Sequence, residues 1–415
     1  MVKNSAVLLR NLVQSKYWAL LILFLYIYNV NFIFLPGAFK TRLILGIIGL
    51  LYYLKKQILS QTVCHIIIFY TLAIVYAIWI AMLNQQYDLW FIQYMILNIF
   101  YLISAFYIVE MLVKKMNITL LQLLYLIVTV IVLHNFISFL GLLFPPIQNF
   151  IVAIQKVSDN ELILDMLEGR TRSVGIGDGN FFHGGVITGI GIILTFFLYR
   201  ENYIKKTTCI IYFILLLITG VFIARTTLVG LTSILFVFLG NKIKRRRCLK
   251  VFLSGFVFVS VAIGIIIFYG SDYLNINWAF EIILSYINSG SAETGSTNHL
   301  QTMYMLPSTL KTFLIGDGLL YYEDGTYYMH TDVGYLRLLF YWGTFGIMIC
   351  FLLQFILFYL IYKHSNRNRE VKYMIIIILL YAIILNLKGF IELNFLSFLI
   401  LSFLVINRSR SIFLN

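Results

Sequence analysis

The sequence predicts an all-α polytopic membrane protein with about twelve transmembrane helices, both termini cytoplasmic and two large outer loops carrying interfacial helices. Three observations predict it. Of 415 residues, 61% are hydrophobic and 12% charged, and the mean hydropathy of +0.91 lies far beyond a soluble domain. Apolar runs of membrane-crossing length recur along the whole chain. Basic residues concentrate in every second connection between them, as residues retained in the cytoplasm do.

In chain order the apolar runs place helices near 18–35, 43–54, 62–83, 89–113, 119–144, 182–199, 208–224, 226–240, 251–270, 331–362, 373–390 and 393–406. The first run has no small-residue cleavage site and is followed by further spans, so it reads as an anchor. With both termini inside, the cytoplasmic segments hold 22 of the 31 basic residues and three acidic ones, a net +19. The outer segments hold nine basic and fourteen acidic residues, a net −5. The domain organisation expected is one integral membrane domain, 1–415, with outer loops at 145–181 and 271–330.

The net charge of +14 does not indicate nucleic acid, because the basic residues are scattered over short segments instead of forming one patch. The run KIKRRRCLK at 242–250 reads as a topogenic loop against anionic membrane lipids. Cys64, Cys209, Cys248 and Cys350 fall in spans or cytoplasmic segments, which gives no disulfide framework and no metal-type pair.

The chemistry-bearing residues gather in the outer segments. The first large loop opens at Pro145 and Pro146 and continues through an amphipathic stretch with Phe150, Ile151, Ile154, Leu162, Ile163, Met166 and Leu167. It closes on GRTRSVGIGDGNFFHGG. The GIGDG spacing is not a dinucleotide fingerprint, since no strand of a soluble βαβ unit precedes it; it reads as a flexible turn. Arg170 and Arg172 are more informative, because paired guanidiniums make forked bonds to phosphate oxygens.

Arg225 interrupts the apolar stretch from Cys209 to Gly240. Two short spans meeting there keep both flanking basic clusters inside, and an arginine so placed either seeks an anionic partner or snorkels to the head groups. After the second loop, Thr331 is expected to cap a helix running to Lys363, with His330, Gly334, Arg337 and Tyr341 on one stripe. Asp332 lies off that stripe, so a local salt bridge does not account for Arg337.

The stretches RTRSVG at 170–175, ARTTLVG at 224–230, and LIGDG with HTDVGYLRLLFYWGTFG within 314–346 resemble the Wzy-type polysaccharide repeat-unit polymerases, relatives of the O-antigen ligases and other GT-C class membrane glycosyltransferases. The resemblance covers nearly the whole chain as architecture and is narrow at the level of residues. It implies an inner-membrane enzyme, working on the periplasmic face, that transfers glycan from an undecaprenyl-pyrophosphate-linked oligosaccharide to the non-reducing end of another lipid-linked repeat unit. A polysaccharide co-polymerase that regulates chain length is a further implied partner.

Within that reading Arg170, Arg172, Arg225 and Arg337 bind the pyrophosphate, whose charge grows as the sugar bond breaks. His330 is the first candidate for general base toward the acceptor hydroxyl and Asp332 the second. The chain has no Asp-x-Asp pair, and arginines in place of a cation, with no cofactor, match that pattern. Tyrosines of the second loop can stack on sugars, although a membrane-interface belt accounts for most of them. An O-antigen ligase would use the same donor. A lipid-linked oligosaccharide flippase or other transporter would instead favour short loops and charges near the midplane.

Overall fold

The structure, a computed structural model, describes residues 2–36, 39–57, 59–86, 88–156, 172–237, 242–269, 279–291, 294–365 and 368–413. With no water in a bilayer to bond backbone amides, a chain this apolar has to pair them within each segment. The protein is accordingly an all-α membrane protein, with isolated bridges but no strand among the described residues. Its helices are α1 (Val2–Tyr28), α2 (Thr41–Lys56), α3 (Gln61–Asn84), α4 (Trp90–Met116), α5 (Leu120–Leu143), α6 (Pro145–Ala153), α7 (Phe181–Arg200) and α8 (Lys206–Ile223). They continue as α9 (Thr227–Val237), α10 (Lys242–Tyr269), α11 (Glu281–Ser289), α12 (Gly295–Thr302), α13 (Leu310–Leu314), α14 (Gly334–His364), α15 (Arg369–Leu385) and α16 (Asn394–Phe413).

Every apolar run coincides with a helix, and among the described residues six, α3, α4, α5, α7, α8 and α14, are long and apolar enough to cross a membrane. The first helix ends earlier than expected. Asn29 takes a left-handed φ of 47°, a conformation asparagine tolerates at a helix end, and the chain turns there. The expected outer-loop helix begins at Pro145, where the missing amide of proline is harmless in a first turn, and ends at Ala153. Leu162, Ile163, Met166 and Leu167 lie outside the described residues.

The chain forms two compact units, each from two stretches: Met1–Arg42 with Met111–Ala292, and Leu43–Glu110 with Glu293–Asn415. In the first, α7 is central, with 83% of its apolar window buried against α5, α8 and α9. A polar pair inside this packing is satisfied, Asn135 Nδ2 donating to Thr188 Oγ1 over 2.9 Å.

The second unit is organised by α14, which is two helices joined at a kink. Gly343 has φ 64° and ψ −170°, and its Cα lies so close to Leu314 that a Cβ would meet that residue's carbonyl at 2.3 Å. The kink frees carbonyls of the preceding turn, and each finds a donor. Asp317 N–H bonds Phe340 O at 2.7 Å, Gly318 N–H bonds Tyr341 O at 3.0 Å, and the Tyr76 hydroxyl bonds Trp342 O at 3.1 Å. The segment just before His330 is thereby attached to the kink.

Candidate functional site

The GIGDG stretch is a turn, but a tightly held one, so the expectation of flexibility is corrected. Ile176 N–H donates to His134 Nε2 at 2.9 Å. Gln155 bonds twice, from its Nε2 to Gly175 O at 2.9 Å and through its Oε1 from Gly177 N–H at 2.7 Å. Asn180 Oδ1 accepts from Gly175 N–H at 2.6 Å. Gly177 has φ 62°, and a Cβ there would lie 2.0 Å from Tyr28 O, so only glycine fits.

Asp178 projects from this turn into a basic cluster. It accepts from Asn29 Nδ2 at 3.2 Å and from Lys40 Nζ at 3.3 Å, and Arg42 lies 3.7 Å away. Burial pushes its carboxyl up, but Lys40, Arg42 and His183, with the Asn29 bond, hold it below the usual carboxylate range.

Arg170 lies outside the described residues. Arg172 and Arg225 come together in the first unit because Ser173 N–H bonds Phe222 O at 3.0 Å, which ties the end of the first large loop to the end of α8. Arg225 follows at once, in the turn between α8 and α9, where the two short helices expected there do meet. Its guanidinium has the anionic partner that its position called for: Nη1 is 2.6 Å from Glu281 Oε2. Arg172 is half-buried, 5.8 Å from the Phe181 ring, and burial together with neighbouring Arg225 depresses its guanidinium below the usual range. Arg172, Arg225 and Glu281 thus form a cluster of two guanidiniums and one carboxylate where water is scarce.

The second unit holds His330, Asp332 and Arg337, but not as a helical stripe. α14 starts at Gly334 after Val333, and Thr331 is fully buried, its hydroxyl accepting from Val333 N–H at 3.3 Å instead of capping the helix. His330 lies before the helix in a short 3₁₀ turn, where Met329 and His330 have φ of 55° and 47°. Two consecutive non-glycine residues in this region cost of order 1–3 kcal/mol each, and such strain persists only where the surroundings enforce it.

The surroundings here are a tyrosine hairpin. Leu320 N–H bonds Asp88 Oδ2 at 2.7 Å, Tyr322 N–H bonds Thr326 O at 2.8 Å, and Tyr328 N–H bonds Leu320 O at 2.9 Å. On one face the Tyr322 ring lies 5.4 Å from the His330 ring and its hydroxyl accepts from Met329 N–H at 3.3 Å. Tyr328 donates to Asp317 Oδ2 at 3.1 Å; burial and that carboxylate push its hydroxyl up to about 12. On the other face the Arg337 guanidinium sits 3.9 Å above the Tyr327 ring, and its Nε is buried with no hydrogen-bond partner among the described residues. His330 and Asp332 are both exposed. The backbone N–H of Asp332 points to Met303 Sδ at 3.4 Å.

No protein-family model, curated protein or solved structure matches the chain.

The candidate residues therefore divide, with Arg172 and Arg225 in one unit and His330, Asp332 and Arg337 in the other. Sequence reasoning missed His134, Gln155 and Glu281, since the groups they bond lie 42, 22 and 56 residues away. It also missed the bracing role of Tyr322 and Tyr327, although four tyrosines in two adjacent pairs around Gly325 are a hairpin signal. Among the described residues no cluster of three or more histidine, cysteine or acidic side chains has metal-site geometry.

Proposed function

We propose that this chain is a polysaccharide repeat-unit polymerase of the Wzy type, spanning the inner membrane with about twelve helices, both termini cytoplasmic. Its donor is an undecaprenyl-pyrophosphate-linked glycan and its acceptor the non-reducing end of a second lipid-linked repeat unit. The observation that supports this reading is the cluster of half-buried Arg172 with Arg225 and Glu281, two guanidiniums to one carboxylate, at the end of the first large loop.

In the reaction the acceptor hydroxyl oxygen attacks the anomeric carbon, and the bond from that carbon to the pyrophosphate oxygen breaks. The hydroxyl proton goes to His330, whose imidazole is exposed and lies within the field of the Asp324 carboxylate. Arginines stabilise the departing lipid pyrophosphate. Arg172, Arg225 and Arg337 are assigned this task, and Arg170 stands beside Arg172 in sequence. Asp332 is the alternative base.

Deletion of the gene, followed by gel analysis of the surface glycan, tests the proposal. Single repeats attached at the surface are the expected product. Absence of attached repeats with lipid-linked polymer retained would identify a ligase, and accumulation of lipid-linked units in the cytoplasm a flippase; either overturns the polymerase reading.

A further inference from the structure

The connection between α15 and α16 leaves the helical pattern and descends into the second unit. Asn394, at its end, bonds Tyr70 at 3.3 Å and Asn98 at 3.0 Å. Tyr70 is fourteen residues from the end of α3 and Asn98 eight from the start of α4, or about 21 and 12 Å along these helices. Non-helical backbone at such depth is tolerated only where protein satisfies it. Asn386 does so, donating to Ile391 O at 2.8 Å and accepting from Ile391 N–H at 3.1 Å.

This segment carries Glu392, which is 6% exposed. Its Oε2 accepts from Asn394 Nδ2 at 2.6 Å and from the Tyr94 hydroxyl at 2.9 Å, and the Gln354 amide also bonds the carboxyl. The groups facing it from the packed elements are Tyr70 on α3, Tyr94 and Asn98 on α4, Cys350 and Gln354 on α14, and Asn394 on α16. None carries a positive charge. Among the described residues no lysine, arginine or histidine pairs with Glu392, and an isolated carboxylate at this depth is costly unless it is neutralised.

We propose that Glu392 is a proton-binding site, and that the bound proton is the ligand that keeps residues 386–393 seated in the helix bundle. Oε2 already accepts two hydrogen bonds, so the O–H bond forms on Oε1, and the Gln354 amide oxygen is of the right chemistry to accept it. Loss of the proton leaves a carboxylate with no counter-charge, which drives the segment toward water. The proposal is independent of the glycan-transfer reading and holds for whichever reaction the chain performs.

The test is infrared spectroscopy and hydrogen–deuterium exchange on the full chain in lipid nanodiscs across neutral to alkaline pH. At neutral pH the wild type is expected to show a carboxylic-acid carbonyl band that Glu392→Gln lacks. Protection at 386–393, relative to intrinsic exchange rates, is expected to fall at least tenfold on alkaline titration in the wild type and to stay constant in Glu392→Gln. Identical carbonyl spectra, or equal loss of protection in both proteins, would overturn it. Should the Gln variant not fold, the exchange titration of wild type decides the matter: loss of protection at 386–393 on alkaline titration supports the site, and constant protection refutes it.

Discussion

Two loops that lead into long helices both contain glycine and non-glycine residues at positive φ, and they differ in what surrounds them. Before α7, Gly177 and Phe181 are left-handed, and neighbouring side chains bond the amides around Gly177. Before α14, the left-handed positions fall on Met329 and His330, where a Cβ has to be accommodated. The first loop is closed, with His134 beneath it only 1% exposed. The second presents an exposed histidine on a strained backbone enforced by Tyr322 and Tyr328. What separates the two is exposure: two consecutive left-handed residues, Met329 and His330, present the imidazole to solvent, which in our reading is its use.

That contrast yields its largest expected effect at His330. In chain extension by purified protein with a defined lipid-linked repeat unit, His330→Ala is expected to slow transfer by ~10² to 10⁴ while thermal unfolding is unchanged, because the side chain is exposed. His330→Gln, which keeps an acceptor but cannot take up a proton, separates orientation from base catalysis. Extension at the wild-type rate in His330→Ala would pass the role to Asp332.

In the closed loop the vulnerable point is Gly177. Gly177→Ala adds a Cβ 2.0 Å from Tyr28 O at φ 62°. The combined backbone and overpacking cost is about 2–5 kcal/mol, measured as a lowered unfolding temperature of the solubilised protein. An unchanged unfolding temperature would show that this turn shifts freely, contrary to its bonding.

The two loops also differ in what sequence discloses. Apolar runs fixed the helices, since composition alone decides what enters a bilayer. The break at Arg225 was legible because a single span would have put basic clusters on opposite sides. Its partner Glu281 was not, being brought in by tertiary packing. GIGDG is recognisable as a turn, yet its rigidity comes from His134 and Gln155 on other elements. At the second loop the helix-stripe expectation failed because helical periodicity was extended through Thr331 and His330, where the hairpin and the kink at Gly343 determine the path.

A smaller effect is expected from the charge at the centre of the first loop. The Asp178 carboxyl is held below its ordinary range, so its stabilisation is complete at neutral pH and is lost as pH falls through that depressed value. Asp178→Asn is therefore expected to be less stable than wild type at pH 7, with the difference closing toward strongly acidic pH. A constant difference across an acid titration of the unfolding temperature would assign the loss to shape and not to charge.

The smallest expected effect separates ring from hydroxyl beneath Arg337. Its guanidinium lies 3.9 Å above the Tyr327 ring, a contact that depends on the π face and not on the phenol oxygen. Tyr327→Phe keeps that face, whereas Tyr327→Leu keeps bulk but removes the quadrupole, worth ~0.5–2 kcal/mol. If the tyrosine holds the planar fork toward pyrophosphate, the Leu variant raises KM for the lipid-linked donor by about 3- to 30-fold with kcat little changed, and the Phe variant stays near wild type. A general defect in the hairpin would instead lower kcat through His330 in both variants, because that histidine is braced from the same hairpin by Tyr322. Equal donor KM in Phe and Leu would mean that the Tyr327 face does not orient Arg337 and that its bond to Tyr321 does so instead.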